Sequence, residues 1–231
     1  VRVPSEVVRF AYFGQIKRHK GVHTLIEAWG MLAGERPHSL VLRGSERGEE
    51  EYARSLHVRS GAMANVTWAP TVSHEQIWGA LAEVDVLVVP SRWLENSPNI
   101  ILEAQAMGVV VIGSDLGGVS ELVHHGQNGL LFDPDDSASL ALQMQRIIDE
   151  PELLETLRSK PLPFGSFAAE IEQIEALYKE CIQNAAMRAL VAPAAGTPQE
   201  SLSALIEFTE FTDIPGYSDY TEQPGATGVV E

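Results

Sequence analysis

DVLVVPSRWLENSPNIILEAQAMGVVVIG, residues 85–113, decides the fold. Asp85–Val89 reads as a strand, apolar without interruption after Asp85, Pro90–Ser97 is a polar loop, Pro98–Met107 has helical character, and Val109–Gly113 is apolar again. Short runs that are apolar on both faces belong to strands covered on both sides. A strand, a helix and a second strand in succession form a parallel crossover unit. Proline suits the start of a helix, and Ser97 or Asn96 is placed to cap it. The helix would then turn its free N–H groups and positive dipole end toward the carboxyl edge of the sheet.

The same rhythm extends in both directions. Upstream, Val7–Phe13 reads as a strand closed by Gly14, and Thr24–Leu32 as a helix with Leu25, Ala28, Trp29 and Leu32 on one face. Ser39–Leu42 is a strand ended by Gly44, Glu49–Ser60 a helix, Asn65–Trp68 a strand, and Glu75–Glu83 a short helix. Downstream, Gly117-Gly118 marks a tight loop, Glu121 starts a helix with a structural role, and Asn128-Gly129 is a turn signal. Ala138–Ile148 and Glu152–Leu157 read as helices, and a long terminal helix falls within residues 166–188. The fold class is α/β, a doubly wound parallel sheet. Ligands of such sheets sit beyond the carboxyl ends of the strands, which selects the loops at Gly14–Lys20, Gly44, Ala69–Thr71 and Ser91–Ser97.

Along the terminal helix, Ile171, Ile174, Leu177, Tyr178, Cys181 and Ile182 recur at spacings of three and four, marking a face that packs. Residues 1–190 form one domain by this reading. Residues 191–231 hold seven acids, no Lys or Arg, four Pro and four Gly, and read as a linker or tail with a transient helix over Leu202–Phe211.

The chain has 231 residues and a formal net charge of −16, from 32 acids and 16 bases. Such acidity opposes nucleic-acid binding and docking on anionic lipid, yet leaves room for a small anion held by one or two cations and backbone N–H groups. One cysteine, Cys181, excludes an internal disulfide or a multi-cysteine metal site. It reads as a small apolar residue of the packing face. Adjacent His124 and His125 precede a turn and do not suit chelation of one metal. No apolar run reaches the ~18 residues that a membrane helix requires. The first residues, VRVPSEVVRF, carry neither methionine nor a signal-peptide layout, so the expectation is a piece of a longer, cytoplasmic protein.

Within residues 90–108 two acids stand out. Glu95 lies in the loop and Glu103 five residues into the helix, about 7–8 Å further along at the usual helical rise. A diphosphate on the helix end, sugar hydroxyls on Glu95 and a ribose diol on Glu103 would use that spacing. The plain alternative is a solvated loop acid and a helix-surface acid. Phe13–Gly21, FGQIKRHKG, brings Lys17, Arg18 and Lys20 to the same edge as Gly14. A turn with solvated bases is the alternative there.

Taken together, Gly14…Lys20-Gly21, the E-x7-E pair Glu95 and Glu103, Gly117-Gly118…Glu121 and Asn128-Gly129 resemble the donor-binding half of GT-B glycosyltransferases. The match is to the large retaining family 4, over residues 7–185. The resemblance implies a nucleotide-sugar-binding domain whose donor is a UDP- or GDP-sugar and whose acceptor is a saccharide or a lipid-linked molecule. Glu95 would contact the transferred sugar as the catalytic residue. Gly14, Gln15 and Lys20 would hold the diphosphate, and Glu103 the ribose. Ser97, Pro98, Asn99 and Ile100 would line the phosphate and sugar through the loop and helix start. No cofactor and no metal is implied.

Many family members carry Arg where this chain has Gln15, which leaves Lys20 as the main phosphate cation and Arg43 as a candidate substitute. The family's reaction lies between two domains, so a preceding acceptor domain is implied and this chain alone would be inactive. The full protein would be cytoplasmic or peripheral at the membrane's cytoplasmic face. The terminal helix would cross back to that domain or pair in a homodimer. A non-catalytic interaction module and a sugar-nucleotide epimerase-like domain are the alternative functions.

Overall fold

Six parallel strands form one sheet in the order β3-β2-β1-β4-β5-β6. They are β1 (Val8–Phe13), β2 (His38–Arg43), β3 (Val66–Ala69), β4 (Val86–Val89), β5 (Val110–Ser114) and β6 (Gly129–Phe132). The computed structural model describes residues 6–34, 36–159 and 167–191. It divides the chain into two units, Val1–Phe164 and Gly165–Glu231.

Alternate side chains of the central strands serve two cores, which is why β4 and most of β1 and β5 read as apolar runs. Phe10, Leu40, Val86, Val88 and Ile112 pack against α1 (Val22–Trp29), α2 (Glu50–Ser60), α6 (Ser137–Asp149) and α7 (Pro151–Arg158). Ala11, Leu87 and Val111 face the other way, onto α3 (Ile77–Ala82), α4 (Asn99–Ala106) and α5 (Gly118–Leu122). The chain runs outward from β1 through β2 to β3, then returns to add β4 on the other side of β1. That reversal opens a crevice at the carboxyl ends of β1 and β4.

Three differences from the sequence reading have physical causes. Helix α4 begins at Asn99, and Pro98 is its N-cap in extended backbone, with no side-chain cap bond; neither Ser97 nor Asn96 caps it. Strand β6 was read only as a turn, because its four residues lie against one neighbour, β5, at the sheet edge. Helix α3 is one and a half turns long, since His74–Gln76 form a separate 3-10 turn held by reciprocal capping of Ser73 and Gln76.

In the second unit, α8 (Phe167–Val191) extends beyond 188. Its Ile171, Ile174, Leu177, Tyr178 and Ile182 are exposed within this chain, and so is Cys181. The tail from 192 onward, with the helix read at Leu202–Phe211, lies outside the described residues.

Backbones of the ligand-edge loops approach closely at glycines. Gly21 has φ +68°, and a Cβ there would lie 1.8 Å from the Pro90 carbonyl oxygen. Gly21→Ala is therefore expected to combine a left-handed backbone penalty of about 1–2 kcal/mol with displacement of the β4–α4 loop. A thermal melt should fall by at least ~6 °C, taking about 3 kcal/mol in total and ~2–4 °C per kcal/mol for a domain of this size.

Candidate functional site

The crevice at the switch point is a cleft in two contiguous parts, each of about 340 Å³, which share Phe13, Gly14, Gln15 and Ile100 as walls. The first part is bounded by Arg43, Gly44, the β3–α3 loop from Thr71 to His74, and Glu103. Lys20, the end of β4, Ser91, Glu95 and Pro98 bound the second. The structure thus brings Gly14, Gln15, Lys20, Glu95, Pro98, Ile100 and Glu103 to one cleft. Ser97 and Asn99 are not among its walls.

The residues of the second part are held by local geometry. Lys20 ends a 3-10 turn, Arg18–Lys20, at the left-handed Gly21, and its Nζ donates to Glu95 Oε1 at 2.6 Å. Ser91, buried at the end of β4, donates from Oγ to the same carboxylate oxygen at 2.8 Å. Ser114 Oγ in turn donates to the Ser91 carbonyl at 2.7 Å, fixing the start of the loop. Half-burial would push the Glu95 carboxyl up, but the bonds from Lys20 and Ser91 outweigh it and hold it below the ordinary carboxylate range. Ser91→Ala should therefore raise the Glu95 pKa, read by NMR titration of its carboxyl carbon; an unchanged value would mean that Ser91 only fills space.

The Gly14 turn is pinned from below. Tyr12 is buried and its hydroxyl donates to the Gln15 carbonyl at 2.6 Å, and burial pushes the phenol well above its ordinary pKa. A Cβ on Gly14 would meet that hydroxyl at 2.8 Å, and one on Gly44 would meet the Gly14 carbonyl oxygen at 1.8 Å. The β1 glycine therefore serves packing as well as any approach to a ligand. Gly117-Gly118 acts similarly: the Gly118 N–H donates to the Glu95 carbonyl at 2.7 Å, so this loop braces the one that carries Glu95. Glu121 is the fourth residue of α5, which starts at Gly118, so it does not begin the helix.

Charge is distributed differently from the sequence reading. Of the three bases at 17–20, only Lys20 lines the cleft; Arg18 turns to Glu49 at 3.8 Å and lies over the Tyr52 ring. Arg43 borders the first part, not the part that holds Lys20, and donates to the Pro70 carbonyl at 3.3 Å. Glu103 faces His74, with Nδ1 at 3.7 Å from Oε1. His125 accepts from the Leu131 N–H at 3.0 Å, a role in the β5–β6 connection.

Sequence reasoning missed the supports. Ser91 carried a signal, a serine directly after Pro90 at the end of a buried strand. The β3–α3 wall from Val72 to His74 carried the Ser73-x-x-Gln76 capping pattern, which marks a turn but not a cleft. A second support joins distant loops: Arg92 pairs with Asp135 at 2.7 Å, and His23 Nδ1 lies 2.8 Å from the Tyr52 hydroxyl.

The family model of the glycosyl transferases group 1 matches residues 2–160. The chain belongs to that family. It is 31% identical over 153 residues to a D-inositol 3-phosphate glycosyltransferase of Arthrobacter sp. (strain FB24), covering 64% of this chain and 36% of that protein. It is 30% identical over 174 residues to the alpha-D-kanosaminyltransferase of Streptomyces kanamyceticus, covering 73% and 45%. Among solved structures, Anabaena Alr3699/HepE in complex with UDP and glucose superposes with a TM-score of 0.62 at 27% identity, over 67% of this chain and 42% of that one. The sucrose-phosphate synthase of Thermosynechococcus elongatus gives 0.66 at 28%, over 79% and 47%. The chain therefore spans less than half the length of these relatives. The matches fall on the doubly wound sheet that the alternating apolar runs announced.

Proposed function

We propose that this chain is the nucleotide-sugar-binding domain of a retaining glycosyltransferase that transfers a sugar to a saccharide or lipid-linked acceptor. The observation that carries the reading is the cleft itself, where a cation and a carboxylate, Lys20 and Glu95, sit side by side at the switch point. Anabaena Alr3699/HepE, of the same fold, has been solved with UDP-glucose bound. The part bounded by Thr71–His74 and Glu103 has the place and the hydrogen-bonding groups for a nucleoside. Glu103 offers two acceptor oxygens to a ribose diol, and the loop offers backbone groups to a base.

In this reading the diphosphate lies at Gly14 and Gln15 with Lys20 as its cation, and Glu95 accepts from hydroxyls of the transferred sugar. Pro98 and Ile100 wall the same space. The leaving diphosphate is stabilised by Lys20, backbone N–H groups and the end of α4, without a metal ion. The acceptor approaches from a second domain of the full protein, and the donor phosphate helps to take its proton in a front-face displacement.

Calorimetry with UDP, UDP-glucose, GDP and GDP-mannose on the folded chain tests the donor site. Micromolar to submillimolar binding of one nucleotide pair is expected; no binding of any at millimolar concentration would end the reading.

A further inference from the structure

The Lys20–Glu95 contact has a consequence for selectivity, and the inference rests on the donor-binding reading. We propose that Glu95 is a specificity-determining residue that makes the cleft favour a nucleoside diphosphate bearing a sugar over the free nucleoside diphosphate. The two side chains are satisfied by each other without ligand, at 2.6 Å, and Ser91 adds 2.8 Å support to the carboxylate. The carboxylate is largely withdrawn from water, with 16% side-chain exposure, and the ammonium is 28% exposed. Lys20 is the one cation among the described residues that lines this part of the cleft.

A phosphate that binds Lys20 shares with Glu95 an ammonium whose charge the carboxylate has to itself without ligand. What happens next depends on the ligand. A sugar diphosphate brings hydroxyl donors, so the carboxylate gains neutral partners as its share of the ammonium falls. A free diphosphate brings no donor. Its terminal phosphate also titrates near pH ~6, which at neutral pH adds about one negative charge that the sugar ester lacks. It would lie beside a half-buried carboxylate that must now share its cation, and like charges in such a setting repel. The pair thus penalises the product and spares the donor. Glu95 also anchors nothing through its side chain except Lys20 and Ser91 among the contacts of the described residues, so the loop backbone does not depend on its charge; the loop is held by Gly118 N–H to the Glu95 carbonyl and Glu95 N–H to the Trp93 carbonyl.

The sign of the effect is what tests it. Glu95→Gln keeps the shape and removes the charge. Calorimetry of UDP and UDP-glucose, or of the GDP pair if the wild-type chain binds that one, should show the free diphosphate bound at least fivefold tighter by Glu95→Gln. The Kd ratio of diphosphate to sugar diphosphate should fall by at least the same factor. In a Lys20→Met background the same substitution should give a smaller gain, since the competition for the ammonium is gone; this double-mutant cycle isolates the pair. Unchanged or weaker diphosphate binding by folded Glu95→Gln, verified by its thermal melt, overturns the proposal while leaving the donor site intact. A folded wild-type chain that binds no nucleotide at all overturns both. If Glu95→Gln does not fold, Ser91→Ala, which weakens the hold on the same carboxylate, should change the diphosphate to sugar-diphosphate ratio; an unchanged ratio there also overturns it.

Discussion

Lys20→Met is expected to weaken nucleotide binding by about 10- to 150-fold, the range for losing a charge-assisted hydrogen bond of ~1.5–3 kcal/mol. The upper half of that range applies because the sugar-side cleft has no second cation among its described walls. Gln15 supplies only a neutral side chain, and Arg43 is engaged with Pro70 in the first part of the cleft. The variant also leaves Glu95 with Ser91 as its remaining side-chain donor in the cleft, so its carboxyl pKa should rise. Calorimetry against the same nucleotides measures the loss, and the carboxyl titration reports the pairing independently. Loss of less than threefold would show that phosphate neutralisation comes from backbone N–H groups and not from Lys20. Methionine retains the apolar stem, so a change in packing does not account for a large loss.

What the sequence made legible follows physical rules of different reach. Strand β4 and the first three residues of β5 are apolar on both faces because both sides are buried, and β1 departs from that only at Arg9, whose side chain reaches Asp85. Gly14, Lys20, Glu95 and Glu103 were readable because the switch point sits at fixed chain positions, the ends of β1 and β4. The start of α4 is not legible at Pro98, since proline's fixed φ, −67° here, suits the first helical position and also the extended backbone that Pro98 takes as N-cap. Lys17 and Arg18 look like partners of Lys20 in sequence, but a single 3-10 turn rotates Arg18 away toward Glu49. Ser91, Ser114 and Tyr12 act through contacts between residues tens of positions apart, or through one turn of backbone, and no periodicity records those. The exposed stripe of α8 obeys helical spacing as expected, yet spacing names a face and not what covers it.

Far from the cleft, Asp85→Ala should produce the largest loss of stability. Asp85 precedes β4 at the opposite edge of the sheet, and its carboxylate has 5% exposure. It accepts from Arg9 through the backbone N–H at 3.1 Å, Nε at 2.9 Å and Nη2 at 3.2 Å, and from Arg158 Nη2 at 2.6 Å. Arg158 closes α7 and is 10% exposed, so the pair ties that helix to the end of β1 and β4. Removing one partner of a buried pair leaves a buried charge, at about 3–5 kcal/mol, and a domain of this size then melts ~6–20 °C lower. Asp85→Ala/Arg158→Met should recover part of that loss, because it removes a buried guanidinium left with the half-exposed Glu155 at 2.6 Å as its acidic partner.

The same pair sets a pH dependence. Burial alone would raise the Asp85 carboxyl, but the bonds from Arg9 and Arg158 hold it below its ordinary value. A folded-state pKa below the unfolded one, near ~3.9, means the contribution is complete above that pH and is lost as pH falls through the folded value. The melting temperature of the wild-type chain should thus drop between pH ~4 and lower values more steeply than that of Asp85→Ala. Parallel curves for the two chains, or a variant that melts within ~2 °C of wild type at pH 7, would show that α7 is held by its apolar contacts, Leu154 and Leu157, and not by this carboxylate.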